Sequence, residues 1–592
     1  MKSSSTGAKL AAVLLGASLI AAACGSSSKT TASSTTAAGG ATTAASTATT
    51  AGAATTAAPT TAATATTAAP APAGAAGGTL VVGAEQEPDC ADVINSCGGS
   101  SWGYWMMTVG TLPRAFDVVN EGGVYSPKPS SILVGEPTVV TTPKQTVTYK
   151  INPKAVWSTG DPITSADFKY MFEQIAGPDA KDVYDATGYD KIESVDATAP
   201  DTAVVTFKEI YADWKGLFGG SYGLMPSKTL AGKDRNAEMK DGYKFSGGPW
   251  MIDKWEKGVA ITLIPNDKYW GDKPKLSKVV FKFLPDTAAE FQAYKAGEVS
   301  VIYPQPQVAV IDAISAGVEG NNFFTGNTGS VEAIWINNSK APFDVKEVRQ
   351  ALAYSIDRDA VVTKLFGGIG VKKAVQSFNP PIISKFSGTD FDVYKKDLKK
   401  AEELMKGAGY AKGADGIWAK GADRASFALR TTAGNKRREL TQEILIQLFK
   451  EAGFEMKVDN AKAGDLFGKI LPAGEFQTAI YAQVATFPLP SLTSLFKSTN
   501  IPSDANKQSG TNWTRTKIAG LDEKLSASDA ELDETKRIAI SKDIDKLLAA
   551  DATSIPLDPL PNIMLWSKKV TGPSDNAVLG PFWNMNTWTV AK

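Results

Sequence analysis

Two counts limit the reactive side chains of this chain: it contains three cysteines and no histidine. Cys90 and Cys97 stand close together in the segment Asp-Cys-Ala-Asp-Val-Ile-Asn-Ser-Cys. In an exported protein so close a pair most simply forms a local disulfide. A redox-active or metal-binding pair is the alternative, although the spacing is not Cys-x-x-Cys and no partner ligands lie nearby. We therefore expect a Cys90–Cys97 disulfide that closes one loop.

The absence of histidine excludes most hydrolytic chemistry. The chain cannot form a Ser-His-Asp catalytic triad, a Cys-His catalytic dyad, a histidine-ligated zinc site or a histidine proton shuttle. Carboxylate-pair and Ser/Lys chemistry remain open, but the lactamase-type signatures are absent, and so are the P-loop and Rossmann patterns. With 62 basic and 62 acidic residues, no net field indicates nucleic acid. We expect a binding protein without cofactor or metal, not an enzyme.

The N-terminal residues predict export. A basic start, a short apolar run over residues 10–23 and small residues before Cys24 have the pattern of a secretory signal, and the run is too short to span a membrane. Cys24 follows three alanines and resembles the cysteine of a bacterial lipobox, so we expect a lipoprotein signal peptide over residues 1–23. An ordinary cleaved signal with a chance cysteine is the alternative.

The stretch after Cys24 lacks the residues that a folded core needs. Residues 25–76 contain no Val, Ile, Leu, Met, aromatic or acidic side chain, so they cannot bury enough apolar surface to offset the entropy of ordering. We expect residues 24–76 to form a disordered tether. The anchored protein would then work outside the cell, at the outer face of the cell membrane, in a periplasm or cell-wall space.

The rest of the chain alternates short apolar strands with helices, which indicates a mixed α/β class. Its length exceeds what one core usually supports, so at least two lobes are expected. Capping boxes are predicted at Thr164 with Asp167 and at Thr287 with Glu290. Glycine stops are predicted at Gly409 and Gly453. Predicted strands include residues 79–83, 146–151, 201–207, 260–265 and 279–284, and predicted helices include 166–175, 288–296, 345–356, 359–366, 398–408, 437–452 and 534–550.

Several motifs along the chain resemble one family. Residues 147–168, Val-Thr-Tyr-Lys-Ile-Asn-Pro-Lys-Ala-Val-Trp-Ser-Thr-Gly-Asp-Pro-Ile-Thr-Ser-Ala-Asp-Phe, resemble the signature of bacterial extracytoplasmic solute-binding proteins of the peptide/nickel class, family 5. Further landmarks follow in the expected order. They lie at residues 246–250, 269–271, 341–358, 555–557 and 580–588.

The resemblance implies a two-lobed receptor that closes on a ligand like a hinge. Lobe one would span residues 77–330, with an extra subdomain over about 110–240, and lobe two would span 331–556. Residues 557–592 would return to lobe one. The implied partners are a small peptide or peptide-like ligand, an ATP-binding-cassette permease with its ATPase, and the membrane through the lipid. The implied state is a monomer that does not bind nucleic acid.

The same resemblance implies a ligand cleft between the lobes. Aromatic residues are more often core than ligand platform, and the Arg437 segment, Lys-Arg-Arg-Glu, is more typical of a solvated helix face. Ligand contact is the alternative for each of them. The candidate ligand-binding residues are Trp102, Tyr104, Trp105, Tyr184, Tyr303, Gln305, Glu332, Arg437, Gln483, Thr486, Phe487 and Trp513.

One cleft position departs from the family pattern. Peptide binders of the family often hold the ligand's ammonium with an aspartate, and here that position falls on Thr486, with Gln483 at the preceding tryptophan position. A buried ammonium without a counter-charge is costly. Either another acid such as Glu332 substitutes, or the ligand lacks that amine.

Three functions remain open at this point. The leading one is a lipid-anchored receptor that delivers peptides or similar solutes to an importer. The second is a sensory or chaperone-like receptor of the same fold without a transport role. The third is a secreted hydrolase of the carboxylate type.

Overall fold

The structure, a computed structural model, describes residues 77–220, 222–317, 321–326, 329–485, 487 and 489–591. The expected signal peptide, the tether and Cys24 lie outside these residues, as does Thr486. Within the described ranges, no helix has both the length and the apolar character that crossing a membrane requires.

The described chain is of the mixed α/β class that the sequence predicts. The strands, in chain order, are β1 Thr79–Ala84, β2 Phe116–Glu121, β3 Val124–Pro129, β4 Thr138–Val140, β5 Thr146–Lys150, β6 Ile192–Ala199, β7 Thr202–Phe207, β8 Trp250–Glu256, β9 Ala260–Pro265, β10 Lys278–Phe283, β11 Val301–Ile302, β12 Asn321–Gly326, β13 Ser330–Ile336, β14 Ala411–Lys412, β15 Trp418–Lys420, β16 Asp423–Arg424, β17 Ser426–Arg430, β18 Glu455–Val458, β19 Thr478–Val484, β20 Ser554–Asp558, β21 Asn562–Ser567, β22 Val570–Thr571 and β23 Thr589–Val590.

The longer helices lie mostly in the second half of the chain. They are α1 Ser165–Ala176, α2 Thr287–Lys295, α3 Val308–Ser315, α4 Lys346–Tyr354, α5 Arg358–Phe366, α6 Leu398–Gly407, α7 Lys436–Ala452, α8 Leu521–Ala530 and α9 Glu534–Asp551. Gly409 and Gly453 follow α6 and α7 with positive φ, which confirms the predicted glycine stops.

Lobe one is built around a seven-stranded sheet with the order β12-β21-β11-β1-β10-β9-β8. β1 lies in its middle, parallel to β10 on one side and to β11 on the other, with Val82 opposite both Phe281 and Val301. Leu80 and Val82 are fully buried, because alternate residues of a strand point to the same face. These observations confirm the strand predicted over residues 79–83.

A smaller four-stranded sheet, which we call the side sheet, has the order β4-β5-β7-β6. Helix α1 packs against it, and its hydrophobic residues belong to the same core as those of the seven-stranded sheet. The Asp167 carboxylate accepts from Thr164 N at 2.9 Å, so the predicted capping box is confirmed. Asp167 also accepts from the Trp157 indole at 3.2 Å, which ties α1 to the loop before it.

Lobe two is built around a five-stranded sheet with the order β18-β17-β19-β13-β20. β13 is antiparallel to both its neighbours, and all of its residues are buried. The chain enters this sheet after β12 and leaves it after β20, because β21 pairs with β11 and β12 in the sheet of lobe one. Two chain crossings therefore join the lobes, next to each other in space.

The second predicted capping box is wrong. Helix α2 is capped by Asp286, whose side chain accepts from the backbone nitrogens of Ala288 and Ala289. Glu290, which was expected to complete a box with Thr287, is instead fully buried. Burial and the neighbouring Glu85 carboxyl raise the pKa of Glu290 well above its usual value. The side chain therefore faces the core and not the helix end.

Candidate ligand-binding cleft

A cleft with a cavity volume of about 300 Å³ lies between the two lobes. Lobe one contributes residues 98–105, residues 184–222 beside the side sheet, and the loop 303–306. Lobe two contributes the end of β19 and the segment around residues 487–495. A volume of this size suits a small organic ligand, since such sites commonly range from about 300 to 1,000 Å³.

The disulfide loop fixes one edge of the cleft. Cys90 and Cys97 are bonded with a Cα–Cα distance of 5.5 Å, which confirms the predicted disulfide. Inside this loop, buried Asp92 forms an ion pair with Arg235 at 2.9 Å and accepts from Ile94 N at 3.2 Å. The loop is therefore held by a covalent bond and a buried ion pair just before the aromatic residues that line the cleft.

Three aromatic rings from lobe one pack against each other at the cleft. Trp102 and Trp105 have ring centroids 5.7 Å apart, and Tyr303 lies 6.4 Å from Trp102 and 5.3 Å from Trp105. The Tyr303 hydroxyl donates to Asn562 at the start of β21. Trp102 is almost fully buried. The cluster thus belongs both to the core and to the cleft wall. Core packing and ligand contact, the two roles that the sequence left open for Trp102 and Trp105, are therefore compatible.

A second group of rings crosses from one lobe to the other. Trp513 of lobe two lies edge-on to Tyr184, with centroids 5.8 Å apart, and 6.0 Å from Tyr481. Tyr481 in turn stacks on Trp335 of β13 at 5.1 Å. The backbone supports the crossing, since Gly510 N donates to the carbonyl of Tyr184 at 3.2 Å. Tyr184 and Trp513 therefore meet at the junction of the lobes.

Glu332 on β13 binds two arginines at the start of α7. Arg438 donates to both of its carboxylate oxygens, at 2.7 and 3.0 Å, and Arg437 donates to one of them at 2.9 Å. Although burial opposes ionisation, the two guanidiniums lower the pKa of Glu332. Arg437 is only 1% exposed, so the prediction of a solvated helix face is wrong. Arg438, which sequence reasoning missed, lines the cleft.

Gln305 links this cluster to the cleft loop. Its side-chain oxygen accepts from Arg437 at 3.0 Å, and its backbone nitrogen donates to Glu85 at 2.7 Å. Across the cleft, Phe487 is buried in the core of lobe one although it follows β19. Gln483, one residue before the end of β19, reaches the cleft wall.

The structure brings most of the predicted site residues together. Glu332 and Arg437 lie behind the wall, where they bind each other, and Thr486 is outside the described residues. The predicted residues that line the cleft are Trp102, Tyr104, Trp105, Tyr184, Tyr303, Gln305, Gln483, Phe487 and Trp513.

One cleft residue pairs with a distant helix. Asp213, in the segment after β7, accepts from Nη1 of Arg537 at 2.6 Å and also from its Nη2. Arg537 lies in α9 of lobe two, and beside the pair Ala212 N donates to the carbonyl of Asp529 at 2.7 Å. Sequence reasoning missed this pair because its members are 324 positions apart and neither stands in a motif.

The described part of the cleft shows no nucleophile elbow. Residues 99–103, Gly-Ser-Ser-Trp-Gly, fit the spelling Gly-x-Ser-x-Gly, but a nucleophile elbow follows a strand directly and works with a histidine. Here Ser101, the serine at the nucleophile position, begins a short helix and follows the helical turn Ser96–Gly98 instead of a strand. Among the described residues, no group of three or more acidic or cysteine side chains is placed to hold a metal ion.

Two α/β lobes joined by adjacent crossings, with an aromatic cleft between them, define a solute-binding protein of the kind that closes on its ligand. The chain belongs to the bacterial extracellular solute-binding proteins, family 5, whose profile for the middle region matches residues 131–503.

Similar proteins agree with this assignment. The chain is 25% identical over 497 residues to the oligopeptide-binding protein OppA of Mycobacterium tuberculosis, covering 82% of this chain and 80% of that protein. The fold matches the oligopeptide-binding protein AppA of Bacillus subtilis, solved with a nonapeptide, with a TM-score of 0.77 at 21% identity over 88% of this chain and all of that one. It also matches NikZ of Campylobacter jejuni, solved with nickel and L-histidine, with a TM-score of 0.73 at 19% identity. That match covers 86% of this chain and 99% of NikZ.

Proposed function

We propose that this protein captures peptides or peptide-like solutes outside the cell and delivers them to an ATP-driven importer. The observation that carries the proposal is an edge of β19 in the cleft that, among the described residues, pairs with no other strand. β17 pairs with β19 only at Thr478 and Ala479, whereas β19 continues to Val484 and lines the cleft from Tyr481 onward. An extended peptide binds such an edge by adding a strand.

The side chains around this edge suit a peptide as well. Aromatic rings and neutral amides or hydroxyls make up most of the wall, and such rings accept varied side chains through apolar contact. The cleft residues named above are the proposed ligand contacts. A peptide is favoured over a metal chelate because the described part of the cleft offers no cluster of metal ligands.

The transport role rests on the family and on the relatives' names. In this proposal the protein is a monomeric, non-enzymatic receptor, anchored through a lipid on Cys24 to the outer face of the membrane, with a permease and its ATPase as partners. The tether over residues 24–76 would let the receptor both search for ligand and dock.

Calorimetric titration of the purified protein with di- to pentapeptides tests the proposal. Saturable binding to at least one peptide class, without cleavage of the peptide, is the expected result. Absence of binding to every peptide, or turnover of any of them, would overturn it. Uptake of a bound peptide by cells that lack the neighbouring permease would remove the transport role and leave a receptor of the same fold.

A further inference from the structure

Charged side chains are scarce in the cleft, and most of them are neutralised. Within the described part of the wall they are Asp185, Asp213 and Arg438. Asp213 binds Arg537 through both carboxylate oxygens, and Arg438 binds Glu332 in the same two-point manner. Neither is free to bind a charged ligand group without breaking a buried ion pair, which is costly.

Asp185 differs from the other two. No lysine or arginine nitrogen of the described residues pairs with it. The pKa of its carboxyl is affected by burial, by hydrogen bonds from Thr187 and by the charge of Asp190. Burial raises the pKa of Asp185, and the hydrogen bonds from Thr187 oppose this shift. The half-buried Asp185 thus has no counter-charge among the described residues.

The backbone around Asp185 is held rigidly. The Tyr222 hydroxyl accepts from Asp185 N at 2.8 Å and donates to Asp185 O at 2.7 Å. Thr187 N donates to Oδ1 of Asp185 at 2.9 Å, which fixes the direction of the carboxylate. The preceding residue is bound on both sides, because Tyr184 N donates to Ile94 O in the disulfide loop and Tyr184 O accepts from Gly510 N in lobe two.

We propose that Asp185 is the binding residue for a positively charged group of the ligand, either the α-ammonium of a peptide or a basic side chain. This inference rests on the proposed function, because it names the charge class of the ligand in the same cleft. Asp185 then replaces the carboxylate that the family's peptide binders carry at the position of Thr486. Glu332 cannot do so, since two arginines already occupy it.

The hydrogen bonds of Arg438 also leave no tight site for a ligand carboxylate in the described wall. Arg438, the cationic residue of the described wall, also donates to Thr432 at 3.0 Å in addition to Glu332, so three of its nitrogens are occupied. The cleft therefore favours ligands with net positive charge over zwitterions of the same size.

Titration calorimetry with matched probes tests the proposal. The probes are an amidated tripeptide with uncharged side chains and a free amine, its neutral N-acetylated form, an N-acetylated form that carries a lysine, and phenylalanine amide as a simple cation. The wild-type protein should bind the free-amine tripeptide or the lysine form at least tenfold more tightly than the neutral acetylated form. Whichever of the two binds better identifies the source of the charge.

Asp185→Asn should abolish this difference and leave binding of the neutral acetylated peptide within about twofold. Asp179→Asn removes an exposed carboxylate of the same connecting segment and should keep the difference intact. Because the comparison of probes on the wild-type protein needs no variant, poor folding of Asp185→Asn would not prevent the test.

The outcomes separate this inference from the proposed function. Equal affinity for charged and neutral peptides would overturn the role of Asp185 and leave the peptide receptor standing. Binding of phenylalanine amide that depends on Asp185, with no binding of any peptide, would support Asp185 and overturn the peptide receptor. Failure of every cationic probe to bind would overturn the role of Asp185, and failure of the neutral acetylated peptide as well would also overturn the peptide receptor.

Discussion

Arg537 of helix α9 reaches across the lobe junction and binds both carboxylate oxygens of Asp213, which lines the cleft. Both side chains are buried. The pair therefore joins the side-sheet part of lobe one to helix α9 of lobe two.

Removing one partner should open the lobes. Arg537→Met leaves the Asp213 carboxylate buried and unpaired, so the free energy of unfolding should fall by about 3 kcal/mol. The radius of gyration from X-ray scattering without ligand should rise. Lys536→Met changes an exposed neighbour in the same helix and should alter neither quantity. An unchanged radius of gyration in Arg537→Met would show that the pair does not hold the lobes together.

Glu332 should matter for folding and not for ligand recognition. Glu332→Gln leaves two buried guanidiniums with a neutral partner, which should cost about 3–5 kcal/mol in urea unfolding. Glu439→Gln, on the more exposed face of the same helix α7, should cost less than about 0.5 kcal/mol. If Glu332→Gln were stable and lost affinity only for amine-bearing ligands, Glu332 and not Asp185 would be the ammonium site.

Stability should fall as the pH rises from about 4 to 7. Burial raises the pKa of Asp545 from 3.8 to about 7, although Gly388 N donates to its carboxylate. The folded state therefore keeps a proton that the unfolded chain has released, and this stabilising contribution is complete below the unfolded pKa and lost as the pH passes the folded one. Asp558 shows the same shift, to about 7.

Asp545→Asn isolates one part of this pH dependence. The amide keeps an acceptor for Gly388 and cannot ionise, so the decline in unfolding free energy between about pH 4 and 7 should be shallower than in the wild type. Asp543→Asn, an exposed residue of the same helix that pairs with Lys524, should leave the slope unchanged. Identical slopes in all three proteins would contradict the assignment.

Cys24 should determine where the protein is found. If a lipid is attached there, Cys24→Ala should move the protein from the membrane fraction into the medium, as immunoblots of fractionated cells would show. The double variant Cys90→Ala with Cys97→Ala removes the disulfide and should stay with the membrane. A Cys24→Ala protein that remained on the membrane would rule out this anchor.

Local signals made much of the fold predictable. The strand β1, the Thr164–Asp167 capping box and the glycine stop at Gly453 each depend on residues that are neighbours in sequence. The disulfide was predictable for the same reason, since its cysteines are close together and have no rival partners. Trp102 and Trp105 were predictable as cleft residues because they stand among Gly and Ser and not in a periodic run, and Tyr303 because it stands in a Pro-bounded loop.

Long-range charge pairing was not predictable. Glu290 has the spacing of a capping residue, yet tertiary packing places it in the core beside Glu85. Arg437 and Arg438 look like an exposed helix face until β13 brings Glu332 to them. Asp185 stands in no motif, and its importance appears only when the partners of every other charged residue in the cleft are known.

The position of Trp513 between Tyr184 of one lobe and Tyr481 of the other gives the protein an intrinsic optical probe. Trp157 and Trp250 lie within the core of lobe one and do not line the cleft, so their surroundings change little when the lobes separate. The emission of Trp513 depends on the distance between the lobes. Ligand capture can thus be followed as a change in native fluorescence, without an attached dye.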